Sequence, residues 1–149
     1  MSFYHALQGI WNSVIREAHL RFHIMIAVLI SIFAYFYGIS RVEWAVLILT
    51  IASVISAELF NTAIEQAVNT ATEEIKPSAK LAKDAAAGAV LVLAVFSIFV
   101  GICLFGNGDR ILATLKTVFT TVKILVPCVL AGFLLLIFVI CGGKNGKSV

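Results

Sequence analysis

Charge is scarce in this chain. Of its 149 residues only 13% are Asp, Glu, Lys or Arg, while 61% are apolar and the mean hydropathy is +1.05. So little polar surface cannot coat a water-soluble globule, and the composition implies a small polytopic membrane protein. Proline is nearly absent, with Pro77 and Pro127 the two present, so long helices can run uninterrupted. There is no basic run. The net charge of +3 is spread along the chain, which argues against nucleic acid as a partner and fits loops facing anionic membrane lipid. Cys103, Cys128 and Cys141 stand singly in apolar runs with no CxxC and no paired histidine, and read as small buried hydrophobes. The N-terminus has no positive cluster and no cleavage site ahead of a short apolar core, so no removable signal is expected. A phosphate-binding glycine loop is missing too. Residues 141–148 approach one, but Cys141 stands where its first glycine belongs and no helix follows to receive phosphates, so the plain reading is a flexible basic tail.

What is present is a series of apolar segments. In residues 1–21, Phe3, Leu7, Ile10, Trp11, Val14 and Ile15 recur at helical spacing beside His5, Gln8, Asn12, Arg16 and Glu17, the pattern of a helix lying on a membrane surface. Residues 22–37 form a first span, adequate in length when continued from the helix before it. After a turn at Gly38-Ile39-Ser40-Arg41, a second helix runs from Trp44 to about Glu74, long enough to project beyond the hydrocarbon. Lys76-Pro77-Ser78 breaks it, and a third span runs from about Lys80 to Phe105. Beyond the turn at Gly106-Asn107-Gly108-Asp109, residues 111–123 suit an interfacial helix and residues 124–141 a fourth span. With the N-terminus inside, the cytoplasmic side holds Arg16, Arg21, Lys76, Lys80, Lys83, Lys144 and Lys147, against three or four outside (Arg41, Arg110 and Lys116, with Lys123 the fourth), a mild positive-inside bias.

Within the grease lies an ordered set of polar residues. Ala57-Glu58-Leu59-Phe60-Asn61-Thr62-Ala63-Ile64-Glu65 puts Glu58, Asn61 and Glu65 at i, i+3 and i+7, one stripe of a helix, and Ala82-Lys83-Asp84 follows after a polar loop. Ionisable groups near membrane depth are expensive and usually mark a site. Two carboxylates, an amide and a Lys-Asp pair suit a metal–nucleotide site. Magnesium takes oxygen ligands, commonly one or two carboxylates with phosphate oxygens and waters. Phosphoryl transfer asks mostly for positioning and charge neutralisation. Glu65 with Glu17 would serve the metal if the surface helix folds back, and Glu58 lies about 10 Å deeper on the same face, where a lipid hydroxyl would arrive. Each group also has a plainer reading. Glu58 and Glu65 could pair with Lys83 and Lys80 to tie two spans together, Asn61 could be interhelical glue, and Glu17 could be a surface charge beside Arg16 and Arg21. His19 and His23 read as interfacial or packing residues, and the run Ala85-Ala86-Ala87-Gly88-Ala89 as a surface for close helix packing.

Three stretches together carry a resemblance: Glu17-Ala18-His19-Leu20-Arg21-Phe22-His23, residues 57–65, and residues 79–90, which read Ala-Lys-Leu-Ala-Lys-Asp-Ala-Ala-Ala-Gly-Ala-Val. They resemble the prokaryotic diacylglycerol kinase family, and within it the Gram-positive undecaprenol kinase branch, over roughly residues 6–105. The resemblance implies an all-α membrane bundle that assembles as a homotrimer: a surface helix and three spans over residues 1–105, with residues 106–149 adding an interfacial helix, a fourth span and the tail. It implies transfer of the γ-phosphate of MgATP to a lipid alcohol, undecaprenol or alternatively diacylglycerol, at subunit boundaries on the cytoplasmic face of the inner membrane. By the same resemblance Glu17 and Glu65 fall on the Mg2+ ligands and Glu58 on the catalytic base. Asn61, Lys83 and Asp84 fall on polar positions around the nucleotide, with Glu74 and Lys76 on the loop that borders it. The chain departs from the family pattern in three ways: Asn69 replaces the usual aspartate, no Lys or Arg precedes Arg16, and the fourth span is extra. An oligomeric channel or carrier is the remote competitor, and it fits poorly because the polar stripe gathers toward one end of its span. A regulatory protein that kept the fold without activity is opposed by the intact polar set.

Overall fold

The computed structural model describes residues 2–71 and 76–141, and these form six helices. They are α1 (Ser2–Arg16), α2 (Ala18–Tyr37), α3 (Arg41–Ala71), α4 (Pro77–Phe105), α5 (Gly108–Thr120) and α6 (Val122–Cys141). The chain is an all-α membrane bundle. Helices α2, α3 and α4 are each long and apolar enough to cross a bilayer, and α5 with α6, bent by 95° between them, meets the same test as a pair. Glu74 and the basic tail lie outside the described residues.

The surface helix and the first span are two helices, not one continuous rod. Glu17 takes an extended conformation (φ −98°, ψ 113°) that ends α1 and starts α2, so α2 reaches spanning length by starting at Ala18. The joint is held by Arg21, which is almost wholly buried. Its guanidinium donates to the carbonyls of Val14 and Ile15 at 3.1 and 2.7 Å, satisfying acceptors left over at the end of α1. It also reaches the Val139 carbonyl at 3.5 Å and lies 6.0 Å from the Phe138 ring. Arg21, expected from sequence as one of the cytoplasmic positive charges, is therefore an internal clamp between the α1–α2 joint and the far end of α6.

At the other end, local signals set the turns. Gly38 closes α2 in the left-handed conformation (φ 72°), its N–H and that of Ile39 bonding back to Ala34. Ser40 and Glu43 form a reciprocal capping box at the start of α3. Pro77 occupies the first turn of α4, where its missing N–H is harmless. Asn107 caps α5 by accepting from the Arg110 amide. The packed core sits at this end, where Ala34, Tyr37, Ile39, Leu47 and Phe105 meet with Phe33, Trp44 and Ile111 around them. Tyr37 and Phe33 each meet Phe105 edge to face, at 5.2 and 5.3 Å. Arg110 stacks 4.4 Å over Tyr37 and donates to the Gly38 carbonyl at 2.8 Å, docking α5 beneath the turn. Since α5 sits at the Tyr37 end of α2 and Val139 of α6 sits at Arg21, α6 travels back along the full height of α2.

The cysteines do not fill the core. Cys103 is exposed on the surface of the bundle and Cys128 half-buried, both as free thiols, while the side chain of Cys141 lies outside the described set. A membrane helix can turn a small apolar group outward to lipid as easily as inward, so an apolar run does not tell the two apart.

Removing the Arg110 side chain should loosen α5 without touching the polar end. Arg110→Ala is expected to lower the stability of the detergent-solubilised chain by about 1 kcal/mol, read as a drop in thermal midpoint. An unchanged midpoint would show that the stacked geometry contributes nothing.

Candidate active site

The polar stripe forms as its spacing requires. Helix α3 carries Glu58, Asn61 and Glu65 along one face, helical geometry extends that face to Asn69, and Thr62 is buried beside them. Three elements close around it. From α2, His23 presents Nε2 to Glu58 Oε1 at 3.0 Å. The Glu58 side chain is 7% exposed and that of His23 22%, so this carboxylate is satisfied inside the bundle. Three residues on, Asn61 Nδ2 donates to Glu65 Oε1 at 3.3 Å. From α4, Lys83 Nζ donates to Asn69 Oδ1 at 2.5 Å, one further turn along the face, and Asp84 beside it is exposed. Helix α1 lies over the neighbouring face of α3. A cleft of about 410 Å³ between them is lined by Gly9, Asn12, Ser13 and Arg16 on one side and Leu59, Thr62, Ala63 and Gln66 on the other.

The expected site residues thus divide into groups. Glu58, Asn61, Glu65 and Lys83 line one continuous face. The half-buried Glu17 sits at the α1–α2 break, one residue after Arg16 of the cleft. Lys76 stands exposed at the start of α4. Among the described residues no three His, Cys, Asp or Glu side chains converge on one point. The cross-pairing of Glu58 and Glu65 with Lys83 and Lys80 is not formed: Glu58 meets His23 and Lys83 meets Asn69. His23, read from sequence as an interfacial or packing residue, is instead the polar partner of Glu58. Its signal was its position six residues after Glu17 on the helix that must face α3, but a lone histidine does not name its partner.

One atom in this face lacks a partner. Asn61 Oδ1 is buried and accepts nothing, while the amide nitrogen is committed to Glu65, a carboxylate that can only accept. An orphan oxygen beside a half-buried carboxylate suits a hard, oxygen-seeking cation or its water. The donor set therefore fits magnesium, which needs few protein ligands when phosphate oxygens and waters complete the shell.

An apolar groove approaches the same region. About 280 Å³ in volume, it runs between α2, α3 and α4 from Phe105 to His23, past Ile26, Ile30, Ile51 and Val54. Thr50 and Ser97 also line it, but their hydroxyls bond back to Val46 and Ala94 and leave the walls effectively apolar.

The fold is a membrane bundle with a polar stripe that begins, at Glu58, one turn beyond an apolar groove. Residues 4–105 match the model of the prokaryotic diacylglycerol kinase family, and the chain belongs to that family. It is 43% identical over 104 residues to the undecaprenol kinase of Bacillus subtilis strain 168, covering 70% of this chain and 85% of the relative. It is also similar to two diacylglycerol kinases. The one from Synechocystis sp. is 36% identical over 105 residues, which is 70% of this chain and 60% of the relative. The one from Helicobacter pylori is 30% identical over 95 residues, which is 64% of this chain and 74% of the relative. No solved structure matches. The family match ends at Phe105, where α4 ends, so α5 and α6 lie beyond it.

The orphan atom separates structural from functional roles for Asn61. Asn61→Leu removes an unsatisfied buried acceptor, so thermal stability should hold or rise, whereas phosphoryl transfer should fall at least about tenfold. Parallel loss of both would make Asn61 a packing residue.

Proposed function

We propose that this chain transfers the γ-phosphate of ATP to the hydroxyl of a membrane lipid alcohol, with undecaprenol as the preferred acceptor. The observation that carries this reading is a buried carboxylate, Glu58, one helical turn from the end of an apolar groove, with family membership and the Bacillus subtilis relative behind it. A polyprenol offers a single hydroxyl on a long apolar tail, so its site needs greasy walls and few polar contacts beyond a base. Val54 and Ile55, one turn before Glu58, line the groove and fit that need. Diacylglycerol remains the second acceptor, as two relatives are named for it.

The residues divide the work by depth along α3. Glu58, the deepest, takes the proton of the attacking hydroxyl. Glu65, with Glu17 and the orphan oxygen of Asn61, would hold Mg2+, which neutralises phosphate charge when bound. An ammonium has three N–H donors and Lys83 uses one on Asn69, so the others remain for the transferring phosphate. Asp84 and Lys76, together with Glu74, border the nucleotide. Because one chain gathers only part of the carboxylate set, we infer a site completed at a subunit boundary, as in a homotrimer. Arg16 at the end of α1, Lys76 before α4 and Lys80 and Lys83 in its first two turns support a cytoplasmic location for this end, at the inner membrane of a bacterial cell.

The kinase reading is tested with MgATP and lipid alcohols in mixed micelles. Glu58→Gln should lower turnover by about two orders of magnitude while nucleotide binding persists. Wild-type kcat/KM should favour undecaprenol. A tenfold preference for diacylglycerol would change the acceptor and leave the kinase standing, whereas no magnesium-dependent ATP consumption with either would remove the kinase.

The metal assignment has its own signature. Glu65→Gln should weaken magnesium binding so that raising magnesium restores part of the activity by mass action. Activity that stays flat across the titration, with nucleotide affinity unchanged, would take Glu65 out of the metal site.

A further inference from the structure

We propose that His23 is a positioning residue for the base: its Nε2–H holds one oxygen of Glu58 and aims the other at the acceptor hydroxyl emerging from the apolar groove. The inference rests on Glu58 being the base, and it starts from two independent observations. The first is the 3.0 Å contact to a carboxylate that is 7% exposed. An ionised carboxylate only accepts hydrogen bonds, so the imidazole must carry its proton on Nε2 there, which makes the contact directional and specific to that nitrogen. The second is that His23 lines the groove, whereas Glu58 does not. A lipid head group moving along Ile30, Ile51 and Val54 therefore meets His23 at the end of the groove, with the carboxylate directly behind it.

A carboxylate free to rotate offers either oxygen in many directions; one pinned through Oε1 offers the second oxygen in one. Preorganisation of this kind lowers the barrier by removing misaligned geometries before reaction. The transfer then balances as follows. The acceptor O–H proton moves to the second oxygen of Glu58 as the acceptor oxygen bonds to the γ-phosphorus. The bond between that phosphorus and the β–γ bridging oxygen breaks, and its electron pair leaves with ADP. His23 keeps its own proton throughout, still donated to Oε1, and Glu58 returns the acquired proton to solvent.

The side chains of Gln and Asn separate this role from packing. The Gln amide nitrogen lies close to where Nε2 of an imidazole sits, and the Asn nitrogen close to Nδ1, so only Gln can reach Oε1. Measured on the full chain in mixed micelles with MgATP and undecaprenol, His23→Gln should keep kcat within about threefold of the parent. His23→Asn should lose about tenfold or more in kcat with KM for MgATP unchanged. In a Glu58→Gln background the same exchange to Asn should have no further effect, because the group being aimed is gone. Equal activity of the Gln and Asn variants, or losses that multiply in the double variant, would overturn the proposal. The underlying base reading fails separately, through normal turnover by Glu58→Gln alone.

Discussion

A carboxylate inside a membrane bundle is tolerable only with a partner, and much of this chain's arrangement follows from giving Glu58 one. The contact with His23 requires α2 to face α3 at one height, and that height depends on where α2 begins. The break at Glu17 sets the beginning, and Arg21, one turn into α2, ties the break to the last carbonyls of α1. Burying a guanidinium is itself costly, and its Nε has no partner, so the joint is stabilised by three carbonyls against an unpaired donor. Such a joint is more credible as a device for registering helices than as a source of stability.

Packing is divided between the two ends of the molecule. Aromatic residues and Arg110 fasten the end opposite the polar stripe, while toward His23 the three spans part to leave the groove. Fastening one end lets the groove persist along the spans without loss of helix register. The same division explains why the polar residues satisfy one another in short local pairs: Asn61 with Glu65 four residues on, and Lys83 across to Asn69. Asn69 is a neutral partner for Lys83, so this contact leaves the ammonium without a countercharge.

Much of this was legible in the sequence because its signals are local. The i, i+3, i+7 stripe, the turn at Gly38 and the break at Pro77 all depend on neighbours in the chain, and the helices follow them, although α4 starts at Pro77 itself and not near Lys80. What stayed hidden depends on partners distant in sequence. Arg21 looked like a loop charge because its acceptors are backbone carbonyls, one of them 118 residues away, and carbonyls carry no sequence signature. His23 looked like packing because Glu58 is 35 positions on in the chain, and hydrophobic periodicity reports which face is buried, not what it meets. The side of each span that Cys103 and Cys128 occupy was hidden too, since both faces of these helices are apolar. Glu17 and Glu65 were expected from sequence to share a metal, and among the described residues no group of three His, Cys, Asp or Glu side chains forms around them.

The last helix has a consequence for neighbours. By lying along α2 from the Tyr37 end to Arg21, α6 occupies one flank of the bundle, and a flank that is occupied from within is closed to other chains. Helices α3 and α4 are less covered than α2, with 17% and 11% of their apolar windows buried against 22%. The small side chains of residues 85–89 lie on α4, where they permit another backbone to come near. The added helix thus gives the bundle two unlike sides, one of small residues on α4 and one of large exposed side chains such as Phe133 and Leu134 on α6.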